Sequence, residues 1–502
     1  MNESSTVTRR PKIALTGATG YIGHNLLEKL TDHADMIALS RNGSKHESTN
    51  DVEWRSCDFF SLEDAVQGLK DADYAIYLIH SMLPSAKLTQ GTFEDMDVIL
   101  AEHFARAAYQ NGVKQIIYLS GIIPPHTTKD ELSRHLRSRL EVEETLASFG
   151  VPVTTIRAGL IVGPEGSSFP ILAKLVRRLP LMILPTWTRT KTHPIALSDV
   201  LEALTKCIGN ERVFSQSVDV GGPDVMSYKE MMQRTADIMH KKRRFINVPF
   251  LTIKLSRLWV TLITGTPKEM AYPLIESLAH PMVAQNRHLV EGISEGEMTY
   301  EEAARTALEE EQRKIEAQKS RKQEKGYLPH PLKAMKRAMK ADVRSVQRIH
   351  LPEGKDAQWA AGYYFNWLPS FAKPLIRTET QTNGVTRVYL LFSRRPLLEL
   401  TYSRATSRPA HAIYRITGGS FAKAKEAHRG RLEFMQIPGT RECVVAIHEY
   451  MPSLPWFLYK YTQAKVHLWV MYAFHRHLLR LIRNNTVKYA KPVDQGPGIR
   501  KS

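Results

Sequence analysis

The sequence predicts an α/β chain in which a doubly wound parallel sheet precedes a smaller α+β domain with an antiparallel sheet and a long C-terminal helix. Three observations support this prediction. Short apolar runs alternate with helical stretches over residues 12–160, which is typical of a parallel sheet covered on both faces. A glycine-rich turn follows the first apolar run. From residue 341 onward, the chain contains short segments in which apolar and polar residues alternate, and these predict antiparallel strands.

The first part of the chain contains predicted strands and helices in alternation. Strands are predicted near 12–16, 35–40, 74–79, 115–120 and 152–157, and helices near 21–31, 62–69, 90–111 and 130–149. Residues 160–317 continue the same unit as a smaller lobe. We therefore predict one domain of the Rossmann type over residues 11–317.

A basic linker is predicted over residues 318–340. The second domain, 341–490, has predicted strands at 343–349, 385–392, 397–402, 412–416, 431–436 and 443–448. A long helix is predicted from Pro455 to about Arg483, and its apolar middle, Val466 to Phe474, is expected to be covered on several sides. Strands around such a helix would form a cup for a hydrophobic ligand.

Composition and charge exclude several classes of protein. With 43% hydrophobic and 24% charged residues, the chain is neither fibrous nor disordered. The three cysteines match neither a disulfide framework nor a metal site, and no metal is predicted. The N-terminus lacks a signal-peptide pattern. A cytoplasmic protein is therefore expected. Residues 321–502 carry 32 Lys and Arg against 11 Asp and Glu. This excess indicates an anionic membrane surface or an acidic protein as a partner, or simply a solvated basic surface. Nucleic acid is disfavoured as a partner because no nucleic-acid-binding motif accompanies the basic residues.

The glycine-rich turn is the strongest single motif. It reads Gly17-Ala18-Thr19-Gly20-Tyr21-Ile22-Gly23, and it joins a strand to a helix. Glycines allow a tight turn and close approach of the backbone to a diphosphate, whose charge then lies at the positive end of the helix. The spacing differs from the general G-x-G-x-x-G pattern, but the order of strand, turn, helix and strand favours dinucleotide binding.

Residues after the next strands indicate the rest of a cofactor site. The second strand ends at Ser40-Arg41 without the acidic residue that binds the ribose of NAD, so a 2′-phosphate and NADP(H) are favoured over NAD(H). Arg41 as a merely solvated residue is the alternative. Asp58 follows a third strand, between those near 35–40 and 74–79, and is expected either to bind the adenine amino group or to cap the next helix. His80 lies at the end of the fourth strand, that near 74–79, where ligands of such sheets bind.

These residues resemble the short-chain dehydrogenase/reductase superfamily in its atypical branch. The similarity runs from the glycine motif through Asp58 and Ser120-Gly121 to Val220-Gly221-Gly222-Pro223, and it is greatest to the NmrA-like and complex I 39-kDa-subunit-like NAD(P)H-binding proteins. The segments His135-Leu136-Arg137-Ser138-Arg139-Leu140-Glu141-Val142-Glu143 and Pro273-Leu274-Ile275-Glu276-Ser277-Leu278 are similar to a bacterial subgroup. That subgroup carries a C-terminal domain resembling a START or polyketide-cyclase cup, and residues 343–485 resemble it more loosely.

The resemblance also implies a catalytic set that this chain alters. Active members use Ser, Tyr and Lys, the last two as Y-x-x-x-K on one helix. Ser120 matches the serine, whereas His135-x-x-x-Arg139 stands in place of the other pair. A histidine can transfer protons near neutral pH and an arginine can bind ribose, so Ser120, His135 and Arg139 are the candidate catalytic residues. A structural or cofactor-binding role for His135 and Arg139 is the alternative.

Three functions follow as expectations. The first is an NADPH-dependent oxidoreductase acting on an apolar carbonyl or quinone-like substrate held in the C-terminal cup. The second is a non-catalytic protein that senses NADP(H) or assists assembly, which the missing tyrosine and lysine favour. The third is a lipid-transfer module. In each case the dinucleotide and an apolar small molecule are the expected ligands, with possible peripheral association of the basic C-terminal region with a membrane.

Overall fold

The computed structural model describes residues 9–81, 86–248, 252–324, 340–390, 392–421, 430–450, 453, 459 and 461–489, which divide into two compact units. Unit 1 comprises Met1–Leu83 and Met96–Ala334, and unit 2 comprises Pro84–Asp95 and Met335–Ser502, each as far as it is described. The linker predicted at 318–340 falls mostly outside the described residues, as does Pro455.

The strands, in chain order, are β1 (Lys12–Thr16), β2 (Asp35–Ser40), β3 (Val52–Ser56), β4 (Tyr74–Tyr77), β5 (Ala86–Gln90), β6 (Gln115–Gly121), β7 (Val153–Ala158), β8 (Ile161–Val162), β9 (Leu181–Leu184), β10 (Lys191–Thr192), β11 (Ile195–Ala196), β12 (Ser217–Val220), β13 (Met226–Ser227), β14 (Arg244–Asn247), β15 (Lys340–His350), β16 (Ile376–Thr380), β17 (Val385–Leu390), β18 (Leu398–Tyr402), β19 (His411–Gly418), β20 (Arg431–Gln436) and β21 (Glu442–Tyr450).

The α-helices are α1 (Tyr21–Thr31), α2 (Leu62–Gly68), α3 (Phe93–Gln110), α4 (Arg134–Ala147), α5 (Phe169–Arg178), α6 (Leu197–Cys207), α7 (Tyr228–Ile238), α8 (Ile253–Thr264), α9 (Lys268–Ser277), α10 (Tyr300–Glu324), α11 (Ala357–Phe371) and α12 (Gln463–Tyr489). None of the described helices is both long and apolar enough to cross a lipid bilayer.

Unit 1 contains a seven-stranded parallel sheet in the order β12-β7-β6-β4-β1-β2-β3. All six residues of β7 are buried, as are six of seven in β6, because helices cover both faces of the sheet. The chain builds outward from β1 to β3 and then returns to place β4 on the other side of β1. This reversal creates a crevice beyond the carboxyl ends of β1 and β4. The predicted doubly wound sheet is confirmed.

The lobe of unit 1 is mainly helical. Helices α5, α7, α8, α9 and α10 contribute to a shared apolar core that also holds Trp187. Three two-stranded sheets, β8 with β11, β9 with β14 and β10 with β13, connect these helices to the parallel sheet. The lobe therefore stands next to β7, at the same end as the crevice.

Unit 2 contains an eight-stranded sheet in the order β16-β17-β18-β19-β20-β21-β15-β5. All neighbours are antiparallel except β5, which pairs in parallel with β15. Aromatic side chains of α11, α12 and the sheet pack together, with the rings of Tyr364 and Phe474 5.1 Å apart and those of Trp367 and Phe474 5.0 Å apart. The predicted antiparallel sheet with a long C-terminal helix is confirmed, whereas the START-like relationship remains a prediction.

The prediction that the middle of the long helix is covered on several sides is wrong. Met471 and Phe474 are buried, but Val466, Trp469 and Tyr472 are 58%, 60% and 60% exposed. The buried residues recur at helical spacing along one face only, so α12 contacts the core of unit 2 along that face and leaves the other to solvent.

Candidate active site

The glycine loop has a backbone shape that depends on two of its glycines. Gly17 has φ +67°, in the left-handed region that favours glycine. A Cβ at Gly23 would lie 2.1 Å from the carbonyl oxygen of Gly17. The amide of Gly20 donates to that same oxygen at 2.8 Å, which closes the turn. The loop thus brings the start of α1 against the end of β1 with no room for side chains between them.

The N-terminus of α1 is open to an anion. Gly20 is the N-cap and supplies no side-chain acceptor, and the first turn contains no acidic residue. Tyr21, Ile22 and Gly23 line the cleft above the loop, where the first amides of a helix point outward without intrahelical partners. The glycine cradle and the bare helix end therefore fit the diphosphate of a dinucleotide.

Tyr21 packs the helix start against the loop after β8. A Cβ at Gly163 would lie 2.4 Å from the hydroxyl of Tyr21, so the glycine makes space for the ring. Burial, together with Glu310 and Glu165, raises the pKa of Tyr21, which keeps the phenol neutral. Its role in this structure is to bring the 163–168 loop over the cleft.

Thr19 of the glycine loop and the residues predicted for the adenosine end, Ser40, Arg41 and Asp58, lie outside the lining of this cleft. Thr19 and Arg41 are exposed, and Ser40 accepts a hydrogen bond from the Asn42 amide at 3.3 Å. Arg41 makes no hydrogen bond or ion pair with any other residue in the described ranges, so its guanidinium is free to bind a phosphate. Asp58 is buried and accepts from the Phe60 amide at 3.2 Å, while Ser61 caps α2.

Beyond β4, His80 forms a buried pair with Asp97 of α3. The Nδ1 atom of His80 lies 2.7 Å from Oδ2 of Asp97, whose other oxygen accepts from the Ser81 amide at 2.7 Å. Ser138 of α4 donates to the same carboxylate at 3.2 Å. Burial alone would raise the pKa of Asp97, but His80, Arg139 and the Ser81 amide outweigh it and hold that pKa below its usual range. The carboxylate therefore stays charged and fixes the imidazole of His80.

Ser120 and Arg139 approach the same space from β6 and α4. Arg139 donates to the hydroxyl of Tyr118 at 3.3 Å. Burial opposes its charge, but Tyr118 and Asp97 raise the pKa of Arg139, so the guanidinium is permanently positive. Ser120 is buried to 7% exposure at the end of β6 and lines the cleft.

His135 stands one helical turn before Arg139 on the same face of α4. Its ring lies 5.4 Å from that of His80, and its Nδ1 lies 3.4 Å from the hydroxyl of Ser277 in α9. The Ser277 hydroxyl in turn contacts that of Ser133 at 2.8 Å. Desolvation, followed by the charges of Arg139 and His80, places the pKa of His135 well below 6.5. The imidazole is therefore neutral near pH 7, and it can donate one N–H and accept one hydrogen bond.

These residues surround one cleft. Of the residues predicted from the sequence, it is lined by Gly17, Gly20, Tyr21, Ile22, Gly23, His80, Ser120, His135 and Arg139. The structure thus brings the glycine loop and the three candidate catalytic residues to the walls of a single space.

A second cavity opens beside this cleft within unit 1. The two share wall residues at Gly121, His135, Ala158, Gly159, Ser168 and Leu274. Its other walls are mostly apolar and come from α5, α7, α9, the Trp187 segment, the turn after β7 and the residues after α9: Leu160, Ile171, Leu172, Leu175, Trp187, Tyr228, Met232, Ile275, Leu278 and Met282. His135 therefore lies in the wall of both spaces, whereas Ser120 lines the dinucleotide cleft alone.

Residues 17–174 match the family model described as NAD(P)H-binding. This match supports an NAD(P)H-binding domain in unit 1, with a nicotinamide dinucleotide as its cofactor.

Similar proteins include "Auxiliary protein GraX" of Staphylococcus aureus, which is 36% identical over 148 residues, or 29% of this chain and 43% of that protein. A mitochondrial "NADH dehydrogenase [ubiquinone] 1 alpha subcomplex subunit 9" of Arabidopsis thaliana is 22% identical over 246 residues, or 47% of this chain and 59% of that protein. This chain therefore matches only about half the length of either relative. A Citrobacter triphenylmethane reductase complexed with NADP(H) is 17% identical, with a TM-score of 0.47 over 59% of this chain and all of that one.

Several residues of the site could not be found by reasoning from motifs. Asp97 and Tyr118 belong to no motif, and Ser277 lies in the 273–278 segment with no role predicted for it, yet these residues set the charge and hydrogen bonding of His80, Arg139 and His135. Asp97 alone carried a signal, because it is an acidic residue within the otherwise apolar run of α3 from Met96 to Ala101. A charge on the buried face of a helix indicates a partner, although not which one.

Proposed function

We propose that this chain is an NADP(H)-dependent reductase whose substrate is an apolar carbonyl or quinone-like molecule. The observation that carries the proposal is the shared wall between the dinucleotide cleft and the apolar cavity, where His135 and Ser168 face both spaces. The substrate would bind in unit 1, and not in the C-terminal cup, because the cavity lies next to the cofactor cleft of the same unit.

The dinucleotide would be held along the cleft from the glycine loop to Arg139. The amides at the start of α1 would bind the diphosphate, and Ser40 with Arg41 would bind the 2′-phosphate. Arg139, fixed by its hydrogen bond to Tyr118, would bind the ribose beside the nicotinamide. When bound, the reduced nicotinamide supplies a hydride to the carbonyl carbon of the substrate.

The walls of the cavity select the substrate. Leu172, Leu175 and Met232 offer no hydrogen-bond partner, so a polar molecule would lose its contacts with water on entering. An apolar molecule gains about 25 cal/mol for each Å² it buries. The same walls exclude water from the carbon that accepts the hydride.

The side chains of Ser120 and His135 would bind the substrate oxygen. Ser120 can donate its hydroxyl, and neutral His135 can donate the single N–H that it carries. Both would stabilise the negative charge that develops on the substrate oxygen, and the proton that neutralises this oxygen would come from solvent, because neutral His135 has no acidic proton to give near pH 7. Arg139 does not take part in the proton transfer, because an arginine keeps its charge.

The experiment is a steady-state assay of NADPH oxidation with a panel of quinones and aromatic aldehydes. Ile171 lines the apolar cavity but not the dinucleotide cleft, so Ile171→Trp would narrow the cavity and leave the cleft unchanged. We expect KM for the acceptor to rise at least about tenfold, which corresponds to a loss of roughly 1.4 kcal/mol of binding free energy. The Kd for NADPH should stay within a factor of about two of the wild-type value. Leu262→Trp, at a position 81% exposed on α8, is the matched control and should behave as wild type. Tight NADPH binding without turnover of any acceptor would refute the proposal.

A second candidate is a protein that binds NADP(H) without turnover and signals its redox state. The specific observation is that a neutral histidine, and not a tyrosine beside a lysine, stands at the proton-donor position. In that case His135→Ala would leave NADPH affinity and partner binding unchanged. A steep loss of a measured turnover rate in the same variant would favour the reductase instead.

A further inference from the structure

Helix α12 of unit 2 presents a continuous exposed strip that combines aromatic and basic side chains. Trp469 and Tyr472 are exposed, as are Lys465, Arg476, Leu479, Arg480 and Arg483. At 3.6 residues per turn, these seven residues fall within a sector of about 100°. The buried residues Ala464, Met471, Phe474 and Leu478 occupy the opposite side. The strip is therefore a single face that the core of unit 2 leaves open.

The charge of the helix has one sign. The sequence of Gln463–Tyr489 contains Lys465, Arg476, Arg480, Arg483 and Lys488 but no Asp or Glu. A solvated helix of ordinary composition would carry both signs and would form pairs along its surface. Here the cations of the exposed face have no acidic partner on their own helix, so the face is complementary to a negatively charged partner.

The aromatic rings are interleaved with these cations. The guanidinium of Arg476 lies 5.8 Å from the ring centre of Tyr472, and the ammonium of Lys465 lies 5.5 Å from that of Tyr461. The ring of Trp469 lies 5.0 Å from that of Phe371 at the end of α11, and 60% of Trp469 is exposed to solvent. Trp and Tyr combine an apolar body with a polar group, and Arg and Lys bind phosphate, so together they match the boundary between lipid headgroups and acyl chains.

We propose that this strip docks unit 2 onto an anionic phospholipid surface. From Lys465 to Arg483 it is about 27 Å long at 1.5 Å per residue, and it is one convex helix face, not a groove. A flat membrane can contact the whole length of such a face at once. The aromatic rings would enter the headgroup region while the arginines bind lipid phosphates. The inference does not depend on the reductase proposal, because it involves only unit 2.

The experiment uses the full chain and vesicles of phosphatidylcholine with or without one third phosphatidylglycerol, separated by flotation. We expect binding to the anionic vesicles only. Binding should weaken as the salt concentration rises from about 0.1 M to about 0.5 M, because salt screens the attraction between the basic side chains and the lipid phosphates. Arg480→Gln with Arg483→Gln should lower the partition constant about 25-fold, at roughly fivefold for each cation. Trp469→Ser with Tyr472→Ser should lower it at least about tenfold.

Two further measurements keep the test decisive. Leu262→Ser removes an exposed apolar side chain from α8 of unit 1 and should leave the partition constant within a factor of about two. Trp469→Phe should bind vesicles nearly as well as wild type but lose the fluorescence quenching that brominated lipids cause. Equal binding to neutral vesicles, quenching that persists in Trp469→Phe, or binding to acidic proteins or nucleic acid without any binding to vesicles would overturn the proposal.

Discussion

The two ends of the dinucleotide cleft are built in different ways. At the glycine loop the contacts available to a ligand are backbone amides, and seven consecutive residues determine their positions. At the other end they are side chains that arrive from α3, α4, α9, β6 and the segment after β4. The geometry of the first end depends on the absence of side chains, whereas that of the second depends on hydrogen bonds between side chains that are far apart in the sequence. Substitutions should therefore act on binding at the loop and on local stability and charge at the other end.

The largest effect is expected for Gly23→Ala. The new Cβ would lie 2.1 Å from the Gly17 carbonyl oxygen, so α1 must move away from β1 and the diphosphate site must open. We expect NADPH affinity, measured by titration calorimetry, to fall at least about a hundredfold, roughly 2.7 kcal/mol.

Gly362→Ala is the matched control for this substitution. Gly362 lies inside α11 and has nothing within 4 Å of an added Cβ. Alanine there should leave NADPH affinity unchanged and favour the helix slightly. Unaltered affinity in Gly23→Ala would show that the loop does not hold the cofactor.

At the other end, Asp97→Asn should weaken the structure around His80. The amide cannot reproduce the charged hydrogen bonds to His80 and Ser81, and both partners are largely buried. We expect amide hydrogen exchange in peptides spanning residues 74–81 to accelerate about thirtyfold, which corresponds to about 2 kcal/mol. Glu202→Gln, which breaks an exposed pair with Lys29, should change exchange little. Equal exchange in Asp97→Asn and wild type would show that the pair contributes nothing.

Arg41→Ala tests a third region, the adenosine end. Loss of a guanidinium that binds the 2′-phosphate should weaken NADPH about tenfold, within the range of one charge-assisted hydrogen bond. Affinity for NADH should stay the same, because that nucleotide lacks the phosphate. Parallel losses for the two nucleotides, or none for either, would contradict a role for Arg41 in selecting NADP(H).

A further effect, on the pH dependence of stability, is expected for His135→Gln. Because the folded state lowers the pKa of His135, the unfolded chain binds its proton first, and this residue costs stability as pH falls below about 6.5. On acidification, wild type should lose up to about 1.4 kcal/mol per pH unit more than the variant. The midpoints of urea unfolding, measured between pH 5 and pH 7, test this expectation. His33 is exposed, so His33→Gln is the control. An equal gain in stability over wild type at low pH in that variant would contradict the assignment of the effect to His135.

Much of unit 1 was predictable because its signals are local. The strands β1, β2, β6 and the helix α1 lie where apolar runs and the glycine turn place them, and parallel order follows from their alternation with helices. In unit 2 the strand β16 and the helix α11 were not predicted. The helix is rich in aromatic residues and contains Pro369, so its periodicity is hidden although its buried face packs well.

The site was predictable only where one motif holds it. The glycine loop and the spacing of His135 and Arg139 on one helix indicated residues that do line the cleft. The neutrality of His135 depends on Arg139, His80 and burial, and the apolar cavity depends on how α5, α7 and α9 pack. These are properties of the tertiary arrangement, so no local pattern in the chain contains them.

The strand β5 has a practical consequence for dividing this protein. It precedes α3 in the chain, more than two hundred residues before the rest of unit 2, and it pairs with β15 through four register positions from Lys340 to Ser345. A fragment that begins at residue 340 would leave the hydrogen-bonding groups on that side of β15 unpaired. Exposed strand edges of this kind invite pairing between molecules, so such a truncation should aggregate unless residues 84–95 are supplied with it.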